Sequence, residues 1–342
     1  MIQVLEPGLF TTVQDLGRIG LGYLGVPTAG AADTFSLRVA NRLVANAGGA
    51  AALEMTGQGA ALRFDMPANI AFAGGEVEAT LDGQPLPMYQ TIRVMTGAVL
   101  HVGPIRVGFR VYLAVGGGLN LPQVLGSVSS DTLAGLGPAP LAAGMQLPIF
   151  PQTVAPGFYL RAPPRFGAEA SLRVLPGPQE DWFTAAARKH LVETGYRVLA
   201  QSDRTGLRLA GEKLERSRKD ELPSMGMVTG AIQVPGSGQP IVLLANHGAT
   251  GGYPVIANVI SADLSLLAQL APGASLRFSL VTRVEALALL RAQEERLVRD
   301  IIPADAGLLA ARELMTLAGR HASLKQAAVI EGNRKIRIRR GS

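Results

Sequence analysis

The chain has 342 residues, 48% of them hydrophobic, enough to fill one large or two ordinary domains without staples. It contains no cysteine, which excludes disulfides, thiolate metal sites and cysteine nucleophiles. Its net charge of +6 lies mostly in residues 283–342, where 12 Lys and Arg face 7 Asp and Glu, so the remaining body is nearly neutral.

The first residues, "MIQVLEPGLFTTVQDLG", lack the basic and apolar regions of a signal peptide, and no apolar run has the length of a membrane span. A cytoplasmic protein without membrane or nucleic-acid partners is expected. Next, "TTVQDLGRIGLGYLGVPTAG" gathers Gln14, Asp15 and Arg18 around Gly17 and Gly20, and Gly25, Pro27 and Gly30 shape a turn toward Asp33. Residues 31–46 carry helical periodicity: Leu37, Ala40, Leu43 and Val44 share a face, Asp33 can cap the start, and Ser36 and Arg38 are expected to turn outward. A helix start of this kind suits an anionic ligand, and a plain capped helix beside a salt bridge fits the same residues.

Between residues 68 and 115, "ANIAFAG", "AVLHVG" and "VGFRVYLAV" read as strands. The stretch 149–170 concentrates four prolines and marks a connector, which places lobes at 1–165 and 166–282 and a basic helical tail at 283–342. In the second lobe a helix is expected over 181–195 and another over 256–270, with "SLRVLPG", "AIQVPG", "QPIVLLAN" and "ASLRFSLV" as strands. Each lobe also repeats a glycine-rich loop leading to a helix and an Asp/Gly/Arg cluster, "QDLGRIG" and "SDRTGLR". The fold class is therefore mainly β, as two weakly related lobes.

Asp203, Arg204 and Arg208 in "SDRTGLR" supply one acid and two fixed cations able to hold an acidic substrate, or to form a surface ion pair on a hairpin. Asn246 and His247 end a buried strand, where function concentrates. They precede "GATGGYPVIA", in which Thr250, Gly251, Gly252 and Tyr253 form either a site loop, with backbone N–H groups as oxyanion donors, or a corner between strands. His101, His190, His247 and His321 have no zinc spacing, so no metal is expected. "AVGGGLN" lacks the P-loop lysine, which leaves any nucleotide to another chain.

In order, "PGLFTTVQDLGRIG", "GVPTAGAADTFSLRVANRLV", "LEMTGQGAALRF", "YLAVGGGLNLPQVLGS", "PGPQEDWF", "SDRTGLRLAG", "GAIQVP" and "TGGYPVIA" resemble the allophanate hydrolase subunit 2 family, whose members are also called KipI antagonist, C-type subunit of 5-oxoprolinase, or biotin-dependent carboxyltransferase family protein. The resemblance runs from about residue 2 to 280. It implies cyclophilin-like β-barrels and partnership with a KipI-like chain (the B-type subunit of 5-oxoprolinase) and a LamB/YcsF-type chain (the A-type subunit), the complex opening 5-oxoproline at the expense of ATP. Carboxyl transfer from biotin to urea, and non-catalytic binding of a KipI-like regulator, are the alternatives it leaves. Departures are Asn246 where the family often has Asp, Val255 for Lys, Val128 for Arg and Ala32 for Met.

On these grounds the substrate is expected to be a small amide or lactam with a carboxylate. Arg204 and Arg208 would hold that carboxylate, and Asp203, His247 and Asn246 would handle or orient protons. The backbone N–H groups of Thr250 to Gly252 would supply oxyanion donors, Tyr253 would join them in binding substrate, and Gly30 with Asp33 would shape the facing wall.

Overall fold

Short runs of β-branched and aromatic residues cut by Gly and Pro form the expected strands, which make two large sheets and two two-stranded ribbons. The structure, a computed structural model, describes residues 1–151, 157–218 and 220–304. Nine strands between Ile2 and Leu147 make the first sheet, a half-barrel in which the long strands Ala68–Leu81 and Val99–Val115 pair antiparallel along most of their length. Seven strands between Glu169 and Leu280 close into a barrel, sealed by parallel pairing of Glu169–Pro176 with Ser275–Leu280. The chain is mainly β, as its sequence predicts.

Alternation with period two assigns each strand face a role. In Ala52–Thr56, Leu53 and Met55 enter the core of the half-barrel with Val4, Phe64, Phe72 and Leu113, while Ala52, Glu54 and Thr56 take the opposite face. That second face is also buried, because a helix and the second lobe cover it. Leu172, Val174, Leu209, Ile232, Val242 and Phe278 fill the closed barrel as a separate core.

Four α-helices among the described residues stand outside the sheets. α1 (Thr34–Leu43) lays Leu37, Val39, Ala40 and Leu43 on Ala71, Ala73, Tyr112 and Ala114 of the first sheet. Asp33 caps it by accepting from the Ser36 N–H at 2.9 Å. Ser36 is buried rather than outward, because its hydroxyl donates to the other Asp33 oxygen at 2.6 Å. The turn before α1 needs Gly30: its φ is +82°, and a β-carbon there would stand 2.7 Å from the Gly17 nitrogen.

α2 (Ala185–Glu193) sits within the expected 181–195 stretch. The expected helix over 256–270 is mostly not one. Val255–Val259 is a barrel strand between Glu169–Pro176 and Ala231–Gln233, and helix is confined to a 3-10 turn at Ser261–Asp263 and α3 (Leu264–Ala268). Val255, Ile256 and Val259 are apolar at spacings that fit either period, and the open place in the barrel decides. α4 (Arg283–Arg299) is the described part of the expected tail, and residues 305–342 lie outside the described residues. α4 turns back onto the first lobe, where Arg38 forks onto Glu294 at 2.5 and 2.6 Å and Leu297 is buried beside α1. Ile301–Pro303 then pairs with Phe158–Leu160.

Candidate functional site

Charges gather where the two lobes meet. Glu54 is fully buried on the first sheet; it accepts from Tyr112 Oη at 2.6 Å and the Ala32 N–H at 3.0 Å, and lies 3.6 Å from Arg110 Nε. From the second lobe, Arg204 donates to Glu54, to the Gly30 carbonyl and, at 3.0 Å, to Asn246 Oδ1. Arg110 crosses in the other direction and donates to the Ala268 carbonyl. Burial opposes ionisation of Glu54, but Arg204 and Arg110, with the two hydrogen bonds, outweigh it and hold the carboxyl below its ordinary range.

Asn246 is the hinge of this network. Its Oδ1 accepts from Arg204 while its Nδ2 faces Asp131 Oδ1 of the first lobe at 3.3 Å. An aspartate there would set two carboxylates against each other, whereas the amide offers a donor to one neighbour and an acceptor to the other. Gln269 makes a second bridge: its Oε1 accepts from the Phe109 and Arg110 N–H groups at 2.9 Å, and its Nε2 donates to Asp33 Oδ2 at 2.8 Å. Asp33 is pushed upward by burial, which its hydrogen bonds from Gln269 and Ser36 only partly offset.

Beside this network opens a cavity of about 440 Å³, lined by Phe10, Thr56, Phe109, Arg110, Thr132, Leu133, Asp203, Arg204, Thr205 and Asn246. Its size and mixed lining suit a small ligand with an anionic group. Thr56 Oγ1 and Arg110 Nε are buried and have no hydrogen-bond partner among the described residues, and nor has Oδ2 of Asp131 next to Thr132. Thr56 and Arg110, which carry two of these atoms, also contribute to the cavity lining.

Of the residues singled out from sequence, Asp203, Arg204 and Asn246 meet at this cavity. The donors of Arg204 expected for a substrate carboxylate are taken up by Glu54, Gly30 and Asn246 inside the protein. Gly30 touches the site through its carbonyl, and Asp33 lies behind it on Gln269. Arg208 is exposed on the outer face of the strand Gly206–Ala210 and lines, with Tyr253 and Asp203, a separate groove of about 530 Å³. The two arginines therefore do not converge.

His247 is buried, its Nδ1 2.7 Å from the Gly248 carbonyl, and it is not part of the cavity wall. Thr250–Gly251 pairs with Met225–Gly226 in a short ribbon, and Thr250, Gly252 and Tyr253 are exposed. Gly251 and Gly252 do not take positive φ, and "TGGYP" makes a ribbon edge outside the cavity lining rather than a loop of donors facing it.

Glu54, Arg110, Thr56, Asp131 and Gln269 were missed by sequence reasoning. A signal existed for two of them, since Glu54 in "ALEMT" and Arg110 in "VGFRVYLAV" are lone charges in apolar strands, where a buried partner is required. Nothing local marks Gln269.

Residues 24–280 match the family model described as carboxyltransferase domain, subdomain A and B. The chain is 36% identical to the C subunit of 5-oxoprolinase from Haemophilus influenzae over 297 residues, 86% of this chain and 96% of that protein. The Escherichia coli protein of the same name is 36% identical over 290 residues, 84% of this chain and 93% of that one. Urea amidolyase of Lachancea kluyveri is 32% identical over 81% of this chain, which spans only 17% of the relative. Among solved structures, K. lactis urea amidolyase superposes with a TM-score of 0.80 at 29% identity, covering 86% of this chain and 20% of the other. The crystal structure of TTHA0988 gives 0.75 at 38% identity, covering 81% of this chain and 55% of the other.

Proposed function

The chain belongs to the carboxyltransferase domain family, subdomain A and B, and from that premise we propose that it is the C-type subunit of an ATP-dependent 5-oxoprolinase. The observation that carries the reading is 36% identity to the C subunit of a 5-oxoprolinase over 86% of this chain and 96% of that protein's length. The substrate is then a five-membered lactam bearing a carboxylate, opened to glutamate while ATP is consumed.

The interlobe cavity supplies what such a substrate needs from this chain. Arg110 and Arg204 share the single carboxylate of Glu54, which leaves net positive charge at the wall. Thr56, Thr132 and Thr205 offer hydroxyls to the lactam amide, and Phe10 and Phe109 give its ring apolar walls. Asp203 is the one carboxylate in the described lining, at the exposed rim. The cavity therefore binds and orients, and the nucleotide and much of the proton transfer fall to partner chains of the KipI-like and LamB/YcsF types.

Turnover should require the assembly. Incubated with ATP and 5-oxoproline, the isolated chain should release no phosphate above background, and co-purification with KipI-like and LamB/YcsF-type chains of the same genome should give glutamate. Robust turnover by the chain alone would overturn the subunit reading. Carboxylation of urea by a biotin-bearing assembly, without glutamate from 5-oxoproline, would move the function to the urea amidolyase side of the family.

A further inference from the structure

Arg18 is almost completely buried and has no carboxylate within ion-pair distance among the described residues. Two of its three nitrogens donate to backbone, Nε to the Val124 carbonyl at 3.1 Å and Nη2 to the Ser129 carbonyl at 2.8 Å, while Nη1 is buried without a hydrogen-bond partner among the described residues. The turn from Asp131 to Leu136 lies against the same group, since a β-carbon on Gly137 would stand 3.2 Å from Nη2. One buried cation thus gathers three loops, at residues 19–25, 122–126 and 132–135.

What these loops present outward is apolar. Ile19, Tyr23, Leu24, Val124, Leu125 and Leu133 are exposed, Tyr23 to 83%. No Asp, Glu, Lys or Arg occurs from Ile19 to Ala32 or from Val111 to Ser130. The 3-10 turn Gly22–Leu24 buries none of its residues. Leu125 holds its side chain outward from a φ of +55°, a conformation that a β-carbon makes costly and that persists only where the surroundings impose it. An uncharged patch bearing a strained, exposed leucine has the composition of an interface core.

We propose that this three-loop surface receives the KipI-like partner chain, an inference that rests on the subunit reading above. Two observations favour that occupant over a second copy of the chain. TTHA0988 matches this chain over only 55% of its own length, so in a solved homologue at 38% identity a further large segment accompanies the shared part. Leu133 belongs both to the patch and to the wall of the interlobe cavity, so a chain seated on the patch borders the cavity that needs groups from outside. A partner with an apolar, uncharged contact face would bury the patch and close the cavity mouth together.

The test uses the full chain and the purified KipI-like chain from the same genome, with affinity measured by calorimetry and self-association by sedimentation. A Tyr23→Ser, Leu24→Ser, Leu125→Asn triple variant keeps a residue tolerant of positive φ at 125 and removes only exposed side chains, so its melting temperature should match the parent. Its affinity should fall about 100-fold or more, as for loss of clustered interface anchors. Val284→Ser with Leu287→Ser, exposed on α4 away from the patch, should leave affinity unchanged. Parent-like binding by the triple variant, while the complex still makes glutamate, overturns the surface and spares the subunit reading. A parent chain that dimerises through the patch also overturns it, and a parent that does not bind the KipI-like chain at all overturns both.

Discussion

Thr56 separates binding from stability more cleanly than any charged residue of the site. Its hydroxyl is buried at the cavity without a partner among the described residues, so Thr56→Val removes an unsatisfied group and keeps the shape. Stability should hold or rise by up to about 1 kcal/mol in urea denaturation, while turnover of the assembled complex falls about 10-fold. Unchanged turnover would place the substrate elsewhere. Two other residues set the response to acid. Burial lowers the pKa of His247 below its ordinary 6.5, which the Gly248 carbonyl only partly counters, so the unfolded chain takes up that proton first. Glu54, held low in the folded state, acts in the same direction at lower pH. For both, the unfolded state binds more protons, so stability is full above the unfolded value and is lost as pH falls through the folded one. Asp33, raised by burial, runs oppositely: its contribution favours folding at low pH and fades as pH rises through its folded value. The urea midpoint should therefore drop between pH 7.5 and 5.5, and His247→Gln should flatten that interval. An equal drop in the variant would assign the slope to other groups.

At the scale of elements, α4 shows how little a hydropathy pattern says about where a helix goes. Its periodicity and its Thr282/Glu285 capping box are legible in "TRVEALALLRAQEERLVRD", yet nothing there names α1 as its seat. Leu297 settles the matter by entering the α1 cluster with Phe35, Leu37 and Leu43. Leu297→Ala should cost about 2–4 kcal/mol and speed amide exchange across Arg283–Arg299 more than in either sheet. Uniform acceleration would mean that the helix is not an independent flap. The strands themselves were readable, because alternation is written into "ANIAFAG" or "ASLRFSLV" whatever surrounds them. Val255–Val259 was not, since its pattern fits both periods and its place is fixed by pairing with residues about 25 and 85 positions away. Likewise, Asp203, Arg204 and Asn246 could be suspected from composition, but their meeting at one cavity, with Arg204 on Glu54, depends on register across two lobes. Arg204 and Arg208, four apart, would share a face of one continuous strand; they diverge because the strand begins only at Gly206 and Arg204 stands in the turn before it, a boundary that sequence does not mark.

The molecule as a whole is two barrel cores joined by a buried polar network and by small apolar contacts, Ala32 with Ala245 and Ala268 and Leu297 with α1, and this ordering governs how it should unfold. Neither lobe completes its own buried charges: Glu54 of the first requires Arg204 of the second, and Arg110 reaches the Ala268 carbonyl across the boundary. Gln269 ties its side chain to Asp33 and to the Phe109 and Arg110 backbone, while α4 returns from the barrel to α1. Separation of the lobes would strip partners from several buried groups at once, at a penalty greater than the mere loss of contact. The intact chain should therefore melt in one step, with calorimetric and van't Hoff enthalpies equal, even though each lobe has a core large enough to suggest independence. Arg204→Met is the informative change, because methionine fills much of the space but leaves Glu54 with Arg110 as its one cation. Loss of about 3–5 kcal/mol is expected, along with resolution of the melt into two transitions as the lobes uncouple. A single transition at the parental midpoint would show that Arg204 is dispensable to the interface, and would return its guanidinium to the substrate.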